Sequence, residues 1–167
     1  SSGYPTRGTS VAVLNEDGAI LECGEGELII SSKTLMMGYL KDPEATSKTI
    51  FYANGQRWTR TGDFAAIDED GFVFFKDRIK NIIIHNGYNI YPAQIEEIIR
   101  TVKNVKDVCV VGVEVPALGT QNVRAVVIPD PEADLDALKE MILKKCVETL
   151  PRYSIPKEIR YLSMFPL

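Results

Sequence analysis

The sequence predicts an α+β protein in two parts, an antiparallel, β-barrel-like subdomain over residues 1–79 and a small α+β domain over residues 80–167. The first half consists of short runs of β-branched and aromatic residues, which are typical of strands. Two of these runs end in Asp-Gly, at positions 17–18 and 70–71, and this pair favours a hairpin because glycine accepts a positive φ. In the second half, segments of helical periodicity alternate with apolar runs.

Strands dominate the first half, and one short helix interrupts them. The predicted strands cover residues 10–14, 27–31, 64–67 and 71–75. Between the second and the third, Asp42-Pro43 predicts the start of a helix, with the aspartate as its cap and the proline at its first position.

The second half reads helix, strand, strand, helix, strand. Pro92 opens a helix whose apolar residues follow the i, i+3, i+4, i+7 spacing: Ile95, Ile98, Ile99 and Val102. The predicted strands cover residues 107–113, 122–128 and 159–163. This order predicts a three-stranded sheet with flanking helices.

The second helix of this half runs from near Asp134 to Leu150, and Pro151 ends it. Its predicted apolar side consists of Leu135, Leu138, Met141, Ile142 and Cys146.

Composition narrows the possible partners. The chain has 167 residues, of which 45% are hydrophobic and 25% charged, as expected of a protein with its own core. Its 19 basic residues are scattered among 23 acidic ones for a net charge of -4, which argues against a nucleic-acid partner. No apolar stretch approaches the roughly 20 residues that a transmembrane helix needs.

The cysteines and the single histidine indicate no metal site. Cys23, Cys109 and Cys146 lie far apart, and neither they nor His85 have the spacing of zinc ligands. Each cysteine lies in or beside an apolar run, so we expect buried thiols in the reducing cytoplasm. We expect His85 to be a surface or packing residue without a catalytic role.

Asp63 is the first candidate for a ligand-binding side chain. It ends Thr61-Gly62-Asp63, a glycine-containing turn before a strand. An ionised carboxylate has two acceptor oxygens and can bind the two neighbouring hydroxyls of a ribose. Taken alone, the same motif is also typical of an ordinary turn with a capping aspartate.

Three motifs in the same order and at similar spacing resemble the adenylate-forming superfamily of acyl-CoA synthetases, luciferases and peptide-synthetase adenylation domains. They are Gly26-Glu27-Leu28 with Gly38-Tyr39-Leu40, then Thr61-Gly62-Asp63, and finally Asp77-Arg78 with Gly87 and Glu96. The resemblance extends over nearly the whole chain.

The resemblance implies a role for four residues. Asp63 would hold the ribose hydroxyls of ATP and of the acyl-adenylate, and Arg78 would contact the same nucleotide. Lys80 falls at the hinge about which the small domain rotates. Gly87 matches the glycine whose bare backbone lets the pantetheine arm of CoA approach. Without the family, Arg78 and Lys80 could form a solvated charge cluster beside Asp77, and Gly87 could be a simple turn residue.

The resemblance also implies a function, that of an AMP-forming acyl-CoA synthetase which uses Mg-ATP, a carboxylic acid and CoA. Asp77-Arg78 stands where the family usually has Gly-Arg, and this variant resembles ligases of fatty or aryl acids. Gln94 replaces an acid of the family's Glu-Ile-Glu segment, so any ion pair made by that acid is lost.

The sequence is expected to be a C-terminal fragment, incomplete at its end. No catalytic residue is assigned within it, because the family's catalytic lysine is expected beyond Leu167 and its acid pocket and Mg²⁺-binding motif belong to an upstream region. We therefore expect residues 1–167 alone not to form an adenylate. An enzyme that loads a carrier protein and a non-catalytic binding module of the same fold remain alternatives.

Overall fold

The computed structural model describes residues 3–166, which form two units divided in sequence between Lys80 and Asn81. The first unit contains one sheet of six strands and one helix. Its strands are β1 Thr9–Leu14, β2 Ile20–Leu21, β3 Gly24–Ser32, β4 Ile50–Ala53, β5 Gln56–Ile67 and β6 Val73–Arg78, and its helix is α1 Pro43–Thr49.

All pairings in this sheet are antiparallel, and β5 is its central strand. The order is β2-β1-β3-β5-β4, with β6 also paired to β5. β5 is 12 residues long, so that it pairs with β3 on one edge while β4 and β6 share the other. A small core of Ala12, Ile29 and Trp58 fills the unit. The antiparallel subdomain predicted from the sequence is confirmed.

Local signals end the elements of this unit as predicted. Gly18 and Gly71 adopt φ of 81° and 78° in the turns that follow β1 and β5. The Asp42 carboxylate accepts a hydrogen bond of 2.8 Å from the amide of Ala45 and so caps α1, with Pro43 as its first residue.

The second unit consists of a hairpin, a sheet and two long helices. Its strands are β7 Ile83–His85, β8 Tyr88–Ile90, β9 Val105–Val115, β10 Thr120–Pro129 and β11 Glu158–Tyr161. Its helices are α2 Pro92–Arg100 and α3 Leu135–Thr149. The three-stranded sheet has the order β11-β10-β9, where β9 and β10 are antiparallel and β10 and β11 are parallel. These elements confirm the predicted α+β domain.

One core holds the second unit together. It combines residues from the hairpin, both helices and the sheet: Ile83, Ile90, Ile95, Ile99, Val102, Val108, Val110, Val123, Ala125, Val127, Leu138, Ile142 and Cys146. No helix among residues 3–166 has both the length and the apolar character needed to cross a lipid bilayer.

Two expectations about apolar residues were wrong. Leu135 and Met141 are 44% and 39% exposed, whereas Leu138, Ile142 and Cys146 are buried. The buried residues are spaced by four and form a narrow stripe; Met141 falls beside that stripe, and Leu135 is the first residue of α3.

The thiols also differ from the expectation of three buried cysteines. Cys146 is buried, Cys109 is half-buried and Cys23 is exposed, and all three are free. Cys23 lies between β2 and β3, next to a strand of only two residues, and its side chain is exposed to solvent. Burial raises the pKa of Cys146 to about 11.

We expect the thiols of the native protein to react with iodoacetamide in the order of their exposure. The thiolate is the reactive form, and Cys146 is both buried and held protonated at neutral pH, so Cys23 should be alkylated first and Cys146 only after unfolding. Mass spectrometry of peptides after timed labelling measures this order. Labelling in denaturant is the control, in which the difference should disappear. Rapid alkylation of Cys146 in native protein would contradict the packing of α3.

A second prediction concerns the close approach of β3 to β1. A Cβ added at Gly26 would lie 2.4 Å from the carbonyl oxygen of Leu14, so Gly26→Ala should lower the free energy of unfolding by about 1–3 kcal/mol. Gly3→Ala is the matched control, because nothing lies within 4 Å of its added Cβ. Urea unfolding followed by the fluorescence of Trp58, the single tryptophan, reports on this unit. Equal stability of the two variants would refute the contact.

Candidate functional site

Thr61-Gly62-Asp63 forms a bulge in the middle of β5. The register of β5 against β3 shifts here, so that residues 61–63 lie opposite a single residue of β3, Leu28. Gly62 takes up the extra chain with φ of 72°, a value that other residues adopt only at a cost. The Thr61 hydroxyl donates to the Leu28 carbonyl at 2.8 Å and accepts from the Asp63 amide at 3.1 Å. The Thr61 hydroxyl thus bonds the bulge to β3, and the bulge sets the direction of the Asp63 carboxylate.

Arg78 lies directly across from Asp63 on the neighbouring strand β6. The two residues are paired in register, and Nη1 of Arg78 donates to Oδ1 of Asp63 at 3.1 Å. The side chains are 24% (Asp63) and 51% (Arg78) exposed. A carboxylate that accepts and a guanidinium that donates are therefore presented together at an accessible place. These are groups of the kind that can bind the hydroxyls and the phosphate of a nucleotide.

A second bulge and a buried carboxylate support Arg78. The register of β6 against β5 shifts so that Lys76 is the extra residue of β6. Asp77 is 4% exposed, and its Oδ1 accepts from the amide of Arg78 at 2.7 Å. Asp77 thus fixes the backbone of Arg78, while the guanidinium of Arg78 reaches Asp63. Lys80 is exposed in a short 3₁₀ turn, Ile79–Asn81, at the last residue of the first unit.

In the second unit, Gly87 lies at the tip of the β7–β8 hairpin. Asn86 and Gly87 have φ of 50° and 82°, as in a two-residue turn of type I′. A Cβ built on Gly87 would meet nothing within 4 Å, so the backbone at this turn is open to an approaching molecule. The turn is anchored by Thr120, whose hydroxyl accepts from the amide of Asn86 at 2.8 Å and donates to the carbonyl of Ile84 at 3.3 Å.

His85 is a buried part of this anchor. It is 6% exposed, and its Nδ1 lies 2.6 Å from the carbonyl oxygen of Gln121. A carbonyl only accepts hydrogen bonds, so Nδ1 carries the proton, and Nε2 is left to accept from the side-chain Nδ2 of Asn86 at 3.3 Å. Both ring nitrogens are engaged in holding the hairpin, which makes His85 a packing residue.

Glu96, the acid of the third motif, has a structural contact. Its Oε1 accepts from the amide of Val110 in β9 at 2.8 Å, and Arg100 donates to the carbonyl of Val108 at 3.2 Å. Gln94 is exposed. No three His, Cys, Asp or Glu side chains converge as metal ligands anywhere in residues 3–166.

Sequence reasoning placed Glu27 in the Gly26-Glu27-Leu28 motif but assigned it no role. Its carboxylate bonds both Arg60 and the amide of Gly62, so two motifs that are separate in sequence form one structural unit. The sequence pattern put Glu27 in one motif and Gly62 in another, but their contact depends on a strand register that the sequence did not specify.

The family model of the AMP-binding enzyme C-terminal domain matches residues 94–167. Over 166 residues the chain is 39% identical to the long-chain-fatty-acid–CoA ligase FadD13 of Mycobacterium tuberculosis. The alignment covers 99% of this chain and 31% of that relative. The chain thus spans about a third of the length of the curated relatives it matches.

Solved structures give the same result. The amide bond synthetase McbA from Marinactinospora thermotolerans superposes with a TM-score of 0.83 at 31% identity, over 99% of this chain and 33% of that one. ATP-bound MatB from Rhodopseudomonas palustris superposes with a TM-score of 0.84 at 29% identity, over 98% of this chain and 32% of that one. Residues 94–167 therefore belong to the family of AMP-binding enzyme C-terminal domains, and nearly the whole chain is similar in sequence and fold to about a third of ligases and synthetases such as these.

Proposed function

We propose that this chain is part of an AMP-forming acyl-CoA synthetase and that it contributes a nucleotide contact from its first unit. The observation that carries the proposal is the contact between Asp63 and Arg78, two motif residues whose side chains meet at 3.1 Å on neighbouring strands. Two residues 15 positions apart would not converge unless the register of β5 and β6 brought them together. The identity to a long-chain-fatty-acid–CoA ligase supports the same reaction class.

In this proposal Asp63 accepts hydrogen bonds from the ribose hydroxyls, and Arg78 binds the nucleotide through its planar, permanently charged guanidinium. The existing contact between the two holds Oδ1 of Asp63 in place before a nucleotide arrives. The reaction has two steps. A carboxylate first attacks the α-phosphate of ATP and releases pyrophosphate, and a thiol then displaces AMP from the acyl-adenylate.

Mg²⁺ would supply charge neutralisation at the phosphates of ATP. We place its ligands and the acid-binding pocket in parts of the enzyme outside residues 1–167, together with a lysine that stabilises the α-phosphate. The acid is proposed to be a fatty acid, by analogy with FadD13, or an aryl acid, as Asp77-Arg78 suggested. We place the enzyme in the cytoplasm, where free thiols such as these three persist.

The acceptor in the second step is proposed to be CoA, with the pantetheine arm passing over Gly87. Support comes from the open backbone of the hairpin tip, where even a methyl group would meet nothing within 4 Å. Two other acceptors compete. One is the phosphopantetheine of a carrier protein, and the other is an amine, which is favoured by the 31% identity to an amide bond synthetase. Incubating full-length protein with ATP, acid and each acceptor separates the three; product formed only on a carrier protein or an amine would reject CoA.

A non-catalytic binding module of the same fold is the remaining alternative. It would bind without chemistry, so ATP–pyrophosphate exchange by the full-length protein distinguishes it from an enzyme. Absence of exchange with every carboxylic acid tried would favour the binding module.

We further propose that Lys80 is the hinge between the two half-reactions. It is exposed, lies in a single 3₁₀ turn and is the last residue of the first unit. A change of a few backbone dihedrals at such a residue can rotate one domain without disturbing either core. The rotation would let one enzyme present different groups in each step.

We expect Asp63→Ala in the full-length protein to reduce ATP–pyrophosphate exchange by about tenfold to a hundredfold, the usual effect of losing a hydrogen bond to a charged group. Asp17→Ala is the matched control, because Asp17 is an exposed carboxylate in a turn of the same unit. Exchange near the wild-type rate in Asp63→Ala would show that the ribose site lies elsewhere.

Lys80→Pro should slow thioester formation more than adenylation, because proline fixes φ and hinders a change of backbone conformation at the hinge. Lys80→Ala removes the side chain and leaves the backbone free, so it should retain both steps. Single-turnover assays that separate acyl-AMP formation from its transfer to CoA measure the two rates. Equal loss in both steps of Lys80→Pro would count against the hinge.

A further inference from the structure

We propose that Glu27 is a positioning residue for the nucleotide site, which acts through Asp63 by holding the bulge that carries it; this rests on the proposed function. Glu27 lies on β3 beside Leu28, the residue opposite the bulge. Its side chain is 14% exposed, so the carboxylate is largely withdrawn from water. A carboxylate in such a place must be satisfied by protein groups, because its desolvation is costly.

Both carboxylate oxygens of Glu27 are engaged by residues of the bulged segment. Oε2 accepts from Nη1 of Arg60 at 2.7 Å, immediately before the bulge. Oε1 accepts from the amide of Gly62 at 3.3 Å, inside the bulge. Arg60 is itself held, with its guanidinium 5.6 Å from the ring centre of Phe51 on β4. One carboxylate therefore connects the start and the middle of the bulge to β3.

These contacts replace ladder hydrogen bonds. Three residues of β5 lie opposite one residue of β3, so the amides of the bulge cannot all pair with β3 carbonyls. Glu27 accepts from the amide of Gly62, and the Thr61 hydroxyl accepts from the amide of Asp63. Without the carboxylate, the amide of Gly62 loses a charged acceptor, and the register opposite Leu28 is less well defined. A slip of one residue would turn Asp63 to the other face of the sheet, away from Arg78.

Glu25 offers a comparison within the same strand. It also lies on β3, and it pairs with Lys76, the extra residue of β6, at 2.5 Å. Its side chain is 56% exposed, however, and exposed ion pairs contribute little. Glu27 is less exposed than Glu25 and bonds the backbone of Gly62, so it is the acid of β3 that holds the bulge.

If the Glu27–Arg60 ion pair only stabilised the fold, its removal would lower the melting temperature and leave nucleotide affinity unchanged. A positioning residue that acts through Asp63 makes a different prediction, because its effect on affinity depends on the presence of that carboxylate. A double-mutant cycle measures this dependence.

The experiment titrates the full-length protein with AMP by calorimetry and records the melting temperature of each variant. We expect Glu27→Gln to weaken AMP binding by about tenfold, since it removes a charge-assisted hydrogen bond that holds Asp63 in place. In an Asp63→Asn background the same substitution should change AMP affinity less than twofold, within about the additivity error of such cycles. Glu44→Gln is the control, because it breaks an ion pair on α1 whose side chains are 72% and 78% exposed.

AMP affinity of Glu27→Gln equal to that of the wild type would overturn the inference, and so would a tenfold loss that persists in the Asp63→Asn background. If Glu27→Gln does not fold, Arg60→Gln tests the same ion pair from its other partner. Unchanged AMP affinity of Arg60→Gln would then overturn the inference. These failures leave the proposed function intact. A wild-type protein that neither binds AMP nor catalyses pyrophosphate exchange would instead reject the proposed function, and the inference with it.

Discussion

The register shift of β5 opposite Leu28 is the constraint on which the candidate site depends. A regular antiparallel strand alternates its side chains between two faces, so an inserted pair of residues is needed to re-aim one of them without shifting the rest. The shift contains Gly62, with φ of 72°, and lies beside Asp63, where the pairing of β5 with β6 begins. The direction of Asp63, its register with Arg78 and the bonds to Glu27 all follow from this local irregularity. The remainder of the sheet, with its regular pairing, keeps the irregularity in place.

In the second unit, the candidate site is a backbone turn at the tip of a hairpin. A hairpin of three-residue strands is marginal by itself, so it needs support from outside. The support is of two kinds: Ile83 and Ile90 are buried in the core, and Thr120 and Gln121 of β10 accept hydrogen bonds from the backbone amides of Asn86 and Ile84. The tip thereby stays ordered while its solvent side carries no side chain at Gly87. The backbone at this turn is therefore open, since an added Cβ at Gly87 would meet nothing within 4 Å.

Much of the fold could be predicted because its signals are local. Asp42-Pro43, Pro92 and Pro151 determine helix ends through capping and ring geometry, which depend on a few neighbouring residues. A turn at Gly87 was likewise one of the interpretations that the sequence allowed, although the strands beside it were too short to recognise. What could not be predicted depends on distant pairing. Glu27 and Arg60 are 33 residues apart, and the exposure of Cys23 depends on which elements cover it rather than on its apolar neighbours.

A residue of a family motif can have a structural role, and Glu96 is an example. β9 ends the three-stranded sheet, and its outer edge would leave the amide of Val110 and the carbonyl of Val108 without strand partners. Glu96 and Arg100 bond these groups from α2, so the helix closes the edge as another strand would. An acid is needed there to accept from an amide, whereas the exposed position 94 tolerates an amide side chain. Once such structural contacts are assigned, the motif groups that remain for the proposed contacts with an outside molecule are the Asp63 carboxylate and the Arg78 guanidinium in the first unit and the bare backbone at Gly87 in the second.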